Sequence, residues 1–96
     1  MVNSQVRMTP KTMIIRADQT EKQSQIIRNI TNEIDKLFET LKSEWTSNTT
    51  IEYIARYNKI RPSFQNAEGL LDEITHNLRE SALNIILETK VEFFKK

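Results

Sequence analysis

The stretch Ser43-Glu44-Trp45-Thr46-Ser47-Asn48-Thr49-Thr50-Ile51-Glu52 decides the fold. Its middle, Thr46 to Thr50, holds only Thr, Ser and Asn, whose side chains compete with a helical backbone for hydrogen bonds. On either side, apolar residues return at intervals of three and four, the spacing of one face of a helix. Two long helices therefore meet at a short turn, assigned to Trp45, Thr46, Ser47 and Asn48. Ser47 or Asn48 is expected to take a left-handed conformation there, Asn48 being better suited to it. Thr49 and Glu52 have the spacing of a capping box, which would open the second helix.

Upstream, the first helix is expected over residues 10–45. Thr9 is the expected N-cap and Pro10 the first helical residue, where a missing N–H costs nothing. Met8 and Met13 fall at the two positions of a hydrophobic staple. The stripe reads Met13, Ala17, Thr20, Ser24, Ile27, Ile30, Ile34, Leu37, Leu41 and Trp45, with Phe38 widening it. Arg28, Asn32, Glu33, Lys36 and Ser43 lie away from it. Downstream, the second helix is expected over residues 50–90, on the stripe Tyr53, Tyr57, Ile60, Phe64, Ala67, Leu71, Ile74, Leu78 and Ile85. Pro62, Gly69 and His76 are spaced by sevens opposite that stripe. A proline on an outer face can be absorbed as a bend, so a kink is expected at Pro62 rather than a stop. Residues 1–8 and 91–96 read as tails around a hairpin domain of residues 9–90.

A turn this short makes the helices antiparallel neighbours. Both stripes are wider than one seam needs, with Ile26 and Ile27 or Leu37 and Phe38 side by side, and Leu70 and Leu71 likewise. The expected fold is all-α: an antiparallel helix-turn-helix hairpin that dimerises into a four-helix bundle. Its hairpin and dimer packing is assigned to Ile27, Ile30, Ile34, Leu37, Phe38, Leu41, Tyr53, Tyr57, Ile60, Phe64, Leu71, Ile74 and Leu78. Burying ten such side chains contributes roughly 1.5 kcal/mol each before entropic costs.

Composition excludes much else. The 96 residues hold no cysteine, one histidine and one glycine. That leaves no disulfide, no zinc site of the usual ligand count and no Gly-rich phosphate cradle. No cofactor and no catalytic residue are expected, because no base is tied to a serine or an acid in a catalytic arrangement. Fourteen basic and thirteen acidic residues are interspersed, net charge +1, without the footprint of a nucleic-acid binder. The N-terminal residues lack the apolar core of a cleavable signal peptide, and no apolar run is long enough to span a bilayer. Asn29-Ile30-Thr31 and Asn48-Thr49-Thr50 match the glycosylation pattern by chance. Trp45 reads first as a packed end of the stripe, with recognition as an added role. His76, Glu44, Asp72 and Glu73 read as solvated surface.

Met8-Thr9-Pro10, Ser43-Glu44-Trp45, Tyr53-Ile54-Ala55-Arg56-Tyr57, Arg61-Pro62-Ser63-Phe64 and Ala67-Glu68-Gly69-Leu70-Leu71-Asp72-Glu73-Ile74, in this order and spacing, resemble the WXG-motif family of small early-secreted-antigen-like proteins of type VII (ESX) secretion. The resemblance runs from Met8 to about Glu88. It implies a hairpin that pairs as a homodimer or heterodimer with another WXG-like or LXG-domain hairpin. It also implies export from a Gram-positive bacterium, folded and without a cleavable signal peptide, by a membrane ATPase. The implied role is partner, chaperone or targeting factor for a co-secreted protein such as an LXG-type toxin. The alternatives are a secreted virulence effector acting itself, with membrane contact left open, and an unrelated cytosolic coiled-coil adaptor. Two departures stand out. The family's glycine after the tryptophan is Ser47 here. Its export signal, an aromatic residue followed four positions later by an acid, is not matched by Phe93 and Phe94, and Phe64 with Glu68 lies inside the helix. On this reading the signal comes from a partner, which favours a heterodimer.

Overall fold

The computed structural model describes the backbone of residues 8–95 and the side chains of residues 8–89. Two helices, α1 (Pro10–Glu44) and α2 (Asn48–Lys95), fold back on one another. The hairpin measures 74 × 30 × 16 Å, with a radius of gyration of 21.1 Å. A compact domain of about 100 residues has a radius near 13 Å. The described residues thus form a rod one helix thick, with a single seam and no closed core among them.

Both helices start in the same way. The Thr9 hydroxyl accepts a 3.2 Å bond from the Thr12 N–H, satisfying one of the free donors of the first turn. The Ser47 hydroxyl accepts from the Thr50 N–H, also at 3.2 Å. The Ser47 carbonyl then accepts the first helical bond of α2, from the Ile51 N–H. The cap of α2 is therefore Ser47, two residues ahead of the expected Thr49–Glu52 box, and Asn48 is already helical. No non-glycine residue among those described has a positive φ. The expected left-handed residue is absent because Trp45, with φ −126° and ψ 85°, turns the chain out of α1 in ordinary backbone. Its own N–H still bonds the Leu41 carbonyl at 2.7 Å. A serine in the family's glycine position makes the turn as a cap, without strain.

Helix α2 passes through Pro62, whose side chain lies exposed. Gly69 is exposed too, and a Cβ there would meet nothing within 4 Å. His76 approaches Glu80 at 3.3 Å on the same outer face. The tail expected over 91–96 is helical backbone through Lys95, since no breaker stands between Ala82 and Lys95. The expected tail over 1–8 falls, except for Met8, outside the described residues. So do the side chains of Phe93 and Phe94.

The register of the pair is constant. Thr20 meets Thr75, Ser24 meets Asp72, Asp35 meets Arg61 and Phe38 stacks on Tyr57. The seam recurs strictly at four and three: Met13, Ala17, Thr20, Ser24, Ile27, Thr31, Ile34, Phe38 and Leu41 on α1. On α2 it is Thr50, Ile54, Tyr57, Arg61, Phe64, Glu68, Leu71, Thr75, Leu78, Ala82 and Ile85. Apart from Met13, its fully covered members are small or hydroxylic: Ala17, Ser24, Thr31, Thr50, Thr75 and Ala82. Small seam residues let the helix axes approach closely. They also bury little apolar area, so the seam alone contributes little hydrophobic stabilisation.

Candidate functional site: an apolar flank opposite a charged one

The seam divides the surface into two flanks, and in an antiparallel pair like flanks of the two helices lie on the same side. One flank is charged. On α1 it carries Glu21, Arg28 and Asp35 at intervals of seven, and on α2 it carries Asp72 and Arg79. Arg79 bonds Asp18 at 3.1 Å and also Glu21. Arg28 pairs with Glu68, and more loosely with Asp72 at 3.4 Å. Asp72 accepts a 2.5 Å bond from the Ser24 hydroxyl. Nearer the turn, the Asp35 carboxylate receives the Arg61 guanidinium at 2.8 and 3.0 Å and the Tyr57 hydroxyl at 2.7 Å.

These contacts set the charge states. The Arg61 hydrogen bond, then that of Tyr57, holds the Asp35 carboxyl below its usual value. Desolvation, then the bond to Asp35, pushes the Tyr57 phenol up. Arg79 is held more firmly protonated by Glu21 and then Asp18. No buried side-chain polar atom among the described residues lacks a partner. Two sequence readings change here. Arg28, placed away from the packing stripe, and Asp72, read as solvated surface, are both cross-helix partners. Nothing local marks them, because their partners lie forty or more positions away.

The other flank is apolar. On α1 it carries Ile30 and Leu37, with Ile26 beside them. On α2 it carries Tyr53, Ile60, Ala67 and Ile74 at intervals of seven, with Leu70 beside them. Leu37 is 56% exposed and Ile60 52% exposed. The thirteen residues assigned to packing thus divide into two sets. Ile27, Ile34, Phe38, Leu41, Tyr57, Leu71 and Leu78 are half-buried in the seam. Ile30, Leu37, Tyr53, Ile60 and Ile74 are exposed on the apolar flank in the single hairpin, and Phe64, at a seam position, is also exposed. The expected α1 stripe drifted off the seam at Ile30 and Leu37, where the seam itself runs through their neighbours Thr31 and Phe38.

Trp45, expected as a packed end, is 46% exposed and rests against Tyr53, ring centroids 6.3 Å apart. A groove lined by Lys42, Trp45, Thr50, Ile51 and Ile54 runs beside it. Of the other turn residues, Thr46 and Asn48 are exposed and Ser47 is half-buried as the cap. Among the described residues no cluster of His, Asp and Glu forms a metal-ligand set, and no helix is long and apolar enough to cross a membrane.

Comparison with known proteins agrees with this architecture. Residues 5–85 match the family described as proteins of 100 residues with WXG. Protein YukE of Bacillus subtilis (strain 168) is 26% identical over 77 residues, which is 80% of this chain and 79% of that one. The crystal structure of Geobacillus thermodenitrificans EsxA (crystal form I) superposes with a TM-score of 0.81 at 26% identity, covering 96% of this chain and 98% of that one. Two long helices capped at Thr9 and Ser47, turning at Trp45 and matched to this family over most of their length, place the chain in the WXG100 family of small type VII secretion hairpins.

Proposed function

We propose that the chain is a non-catalytic half of a four-helix bundle. It pairs through its apolar flank with another WXG-like or LXG-domain hairpin and accompanies a co-secreted protein, as partner, chaperone or targeting factor, through the type VII membrane ATPase. The exposed row of Ile30, Leu37, Tyr53, Ile60 and Phe64 carries this reading. A seam whose covered residues are mostly small or hydroxylic leaves that row exposed, and a second hairpin of the same width would cover it. The charged flank is already engaged in cross-helix pairs and offers no comparable driving force.

The test is co-purification. The chain, expressed with the hairpin proteins encoded beside it, should hold one of them in a stoichiometric complex, and Leu37→Asp should lose it while retaining the far-ultraviolet helix signal. Export to the medium should stop in a strain without the type VII ATPase. Partner capture undiminished by Leu37→Asp would sink the reading.

A further inference from the structure

The charged flank does not stay charged to the open end of the rod. Asp72 and Arg79 recur at seven on α2, and the next residue of that row is Ile86. On α1 the row Asp35, Arg28 and Glu21 ends likewise on Ile14. Leu83 and Leu87 border Ile86 on its outer side. Ile14 is 44% exposed, Leu83 55% and Leu87 49%. This patch lies on the side opposite the pairing flank, so a hairpin seated on that flank leaves it open. We propose that the patch docks the rod end on the surface of a lipid bilayer with anionic headgroups, as a peripheral contact that does not depend on which hairpin fills the pairing flank.

Three observations favour a bilayer over a protein as the occupant. The first is the shape of this end. Thr20 faces Thr75 and Phe38 faces Tyr57, a register that sets Pro10 opposite Ile85. Helix α2 continues to Lys95, about ten residues and roughly 15 Å further, with no residue of α1 opposite. A lone helix forms no groove for a partner helix, and this length falls short of the roughly 30 Å of a hydrocarbon core. The second is periodicity. Val91 and Phe94 follow Leu87 at four and seven, the spacing of one helical face. A helix end with one apolar face lies in the boundary between headgroups and acyl chains. The third is charge. Lys90 follows Ile86 by four, within the apolar row, and Lys95 and Lys96 follow it. Lys11, exposed, precedes Ile14 by three. Inside a protein contact, a lysine among apolar residues is costly without an acid opposite. At a bilayer boundary a lysine stem lies along the acyl chains while its ammonium reaches a phosphate.

Co-sedimentation of the full chain with vesicles tests this. The chain should bind vesicles of mixed phosphatidylglycerol and phosphatidylcholine, bind less as salt rises, and hardly bind pure phosphatidylcholine. Leu83→Asp combined with Leu87→Asp should weaken binding about tenfold or more, while the far-ultraviolet helix signal and partner capture persist. Lys90→Gln should weaken it about fivefold, the share of one lysine near an anionic surface. Ile30→Asp, which breaks the pairing flank, should lose the partner and keep the vesicles, so the two readings fail separately. A parent chain that ignores the mixed vesicles overturns the proposal. So does binding that is equally strong on pure phosphatidylcholine, or binding unchanged in the double variant. A double variant that keeps the vesicles but loses its pairing partner assigns the patch to a protein interface and overturns it as well. Lys90→Gln and the salt series stay decisive even where the double variant fails to fold.

Discussion

The two flanks of the hairpin lie a few ångströms apart and do opposite work. Arg28 and Ile30 are separated by one residue, yet Arg28 reaches across the seam to Glu68 and Asp72, while Ile30 lies on the other flank with about half its surface exposed. The charged flank spends its side chains inside the molecule. Pairs such as Arg61–Asp35 and Arg79–Asp18 fix the antiparallel direction and the register, because a shift of α2 by one turn separates every partner. Exposed or half-exposed pairs contribute little net stability, so their value lies in specifying one alignment. The apolar flank keeps its side chains for another molecule. The contrast teaches that stability and the proposed pairing are coupled here: a hairpin whose covered seam residues include Ala17, Ser24, Thr31 and Thr75 buries little apolar area by itself, so association would add to its stability.

The sharpest way to break this contrast is a charge on the apolar flank. Ile60→Asp should weaken self-association or partner binding by about 100-fold or more, since a large side chain contributes roughly 1.5–3 kcal/mol on burial and a two-fold interface loses it twice. Light scattering over a dilution series reads this directly. On the charged flank the expected effect is one of pH. Asp35 has a depressed folded-state value, so its stabilisation is present above the ordinary aspartate range, near 4, and is lost as pH falls through the lower folded-state value. Asp35→Asn should lower the melting temperature at pH 7 and flatten its fall between pH 5 and pH 2. An unaltered acid profile would remove Asp35 from the account.

Smaller effects sharpen what lies between the flanks. Ser47→Ala should cost about 1 kcal/mol in urea unfolding through loss of the cap on Thr50, and Ser47→Gly only a few tenths, because glycine caps nearly as well. Equal losses for the two would mean that the hydroxyl does not cap α2. Gly69→Ala, on the outer face with open space around it, should stabilise the chain by about 0.5–1 kcal/mol without changing association.

The sequence made the helices and their turn legible because Thr9-Pro10 and the Thr46–Thr50 run are strong local signals. It also made the apolar residues legible, but not their division into two sets. The seam passes through Thr31 beside Ile30 and through Thr75 beside Ile74, so following the apolar residue at each turn tracks the outward edge rather than the contact. A strict count of four and three from Met13 and Ala17 recovers the seam through the hydroxyls. The Thr49–Glu52 box was the more conspicuous cap, yet Ser47 repeats the Thr9–Thr12 pattern with Thr50. The networks around Asp35, Asp72 and Arg79 had no local signal, because their cross-helix partners lie 22 to 61 positions away.

The most direct test sets the two flanks against each other at one level of the rod. Sedimentation equilibrium of Ile30→Asp and Arg28→Gln, beside the parent chain with its pairing partner, measures association while circular dichroism follows helix content. The account predicts that Ile30→Asp abolishes association and that Arg28→Gln leaves it within a few-fold of the parent, at some cost in thermal stability. Association that survives Ile30→Asp but fails in Arg28→Gln would contradict it, and would place the pairing surface on the charged side.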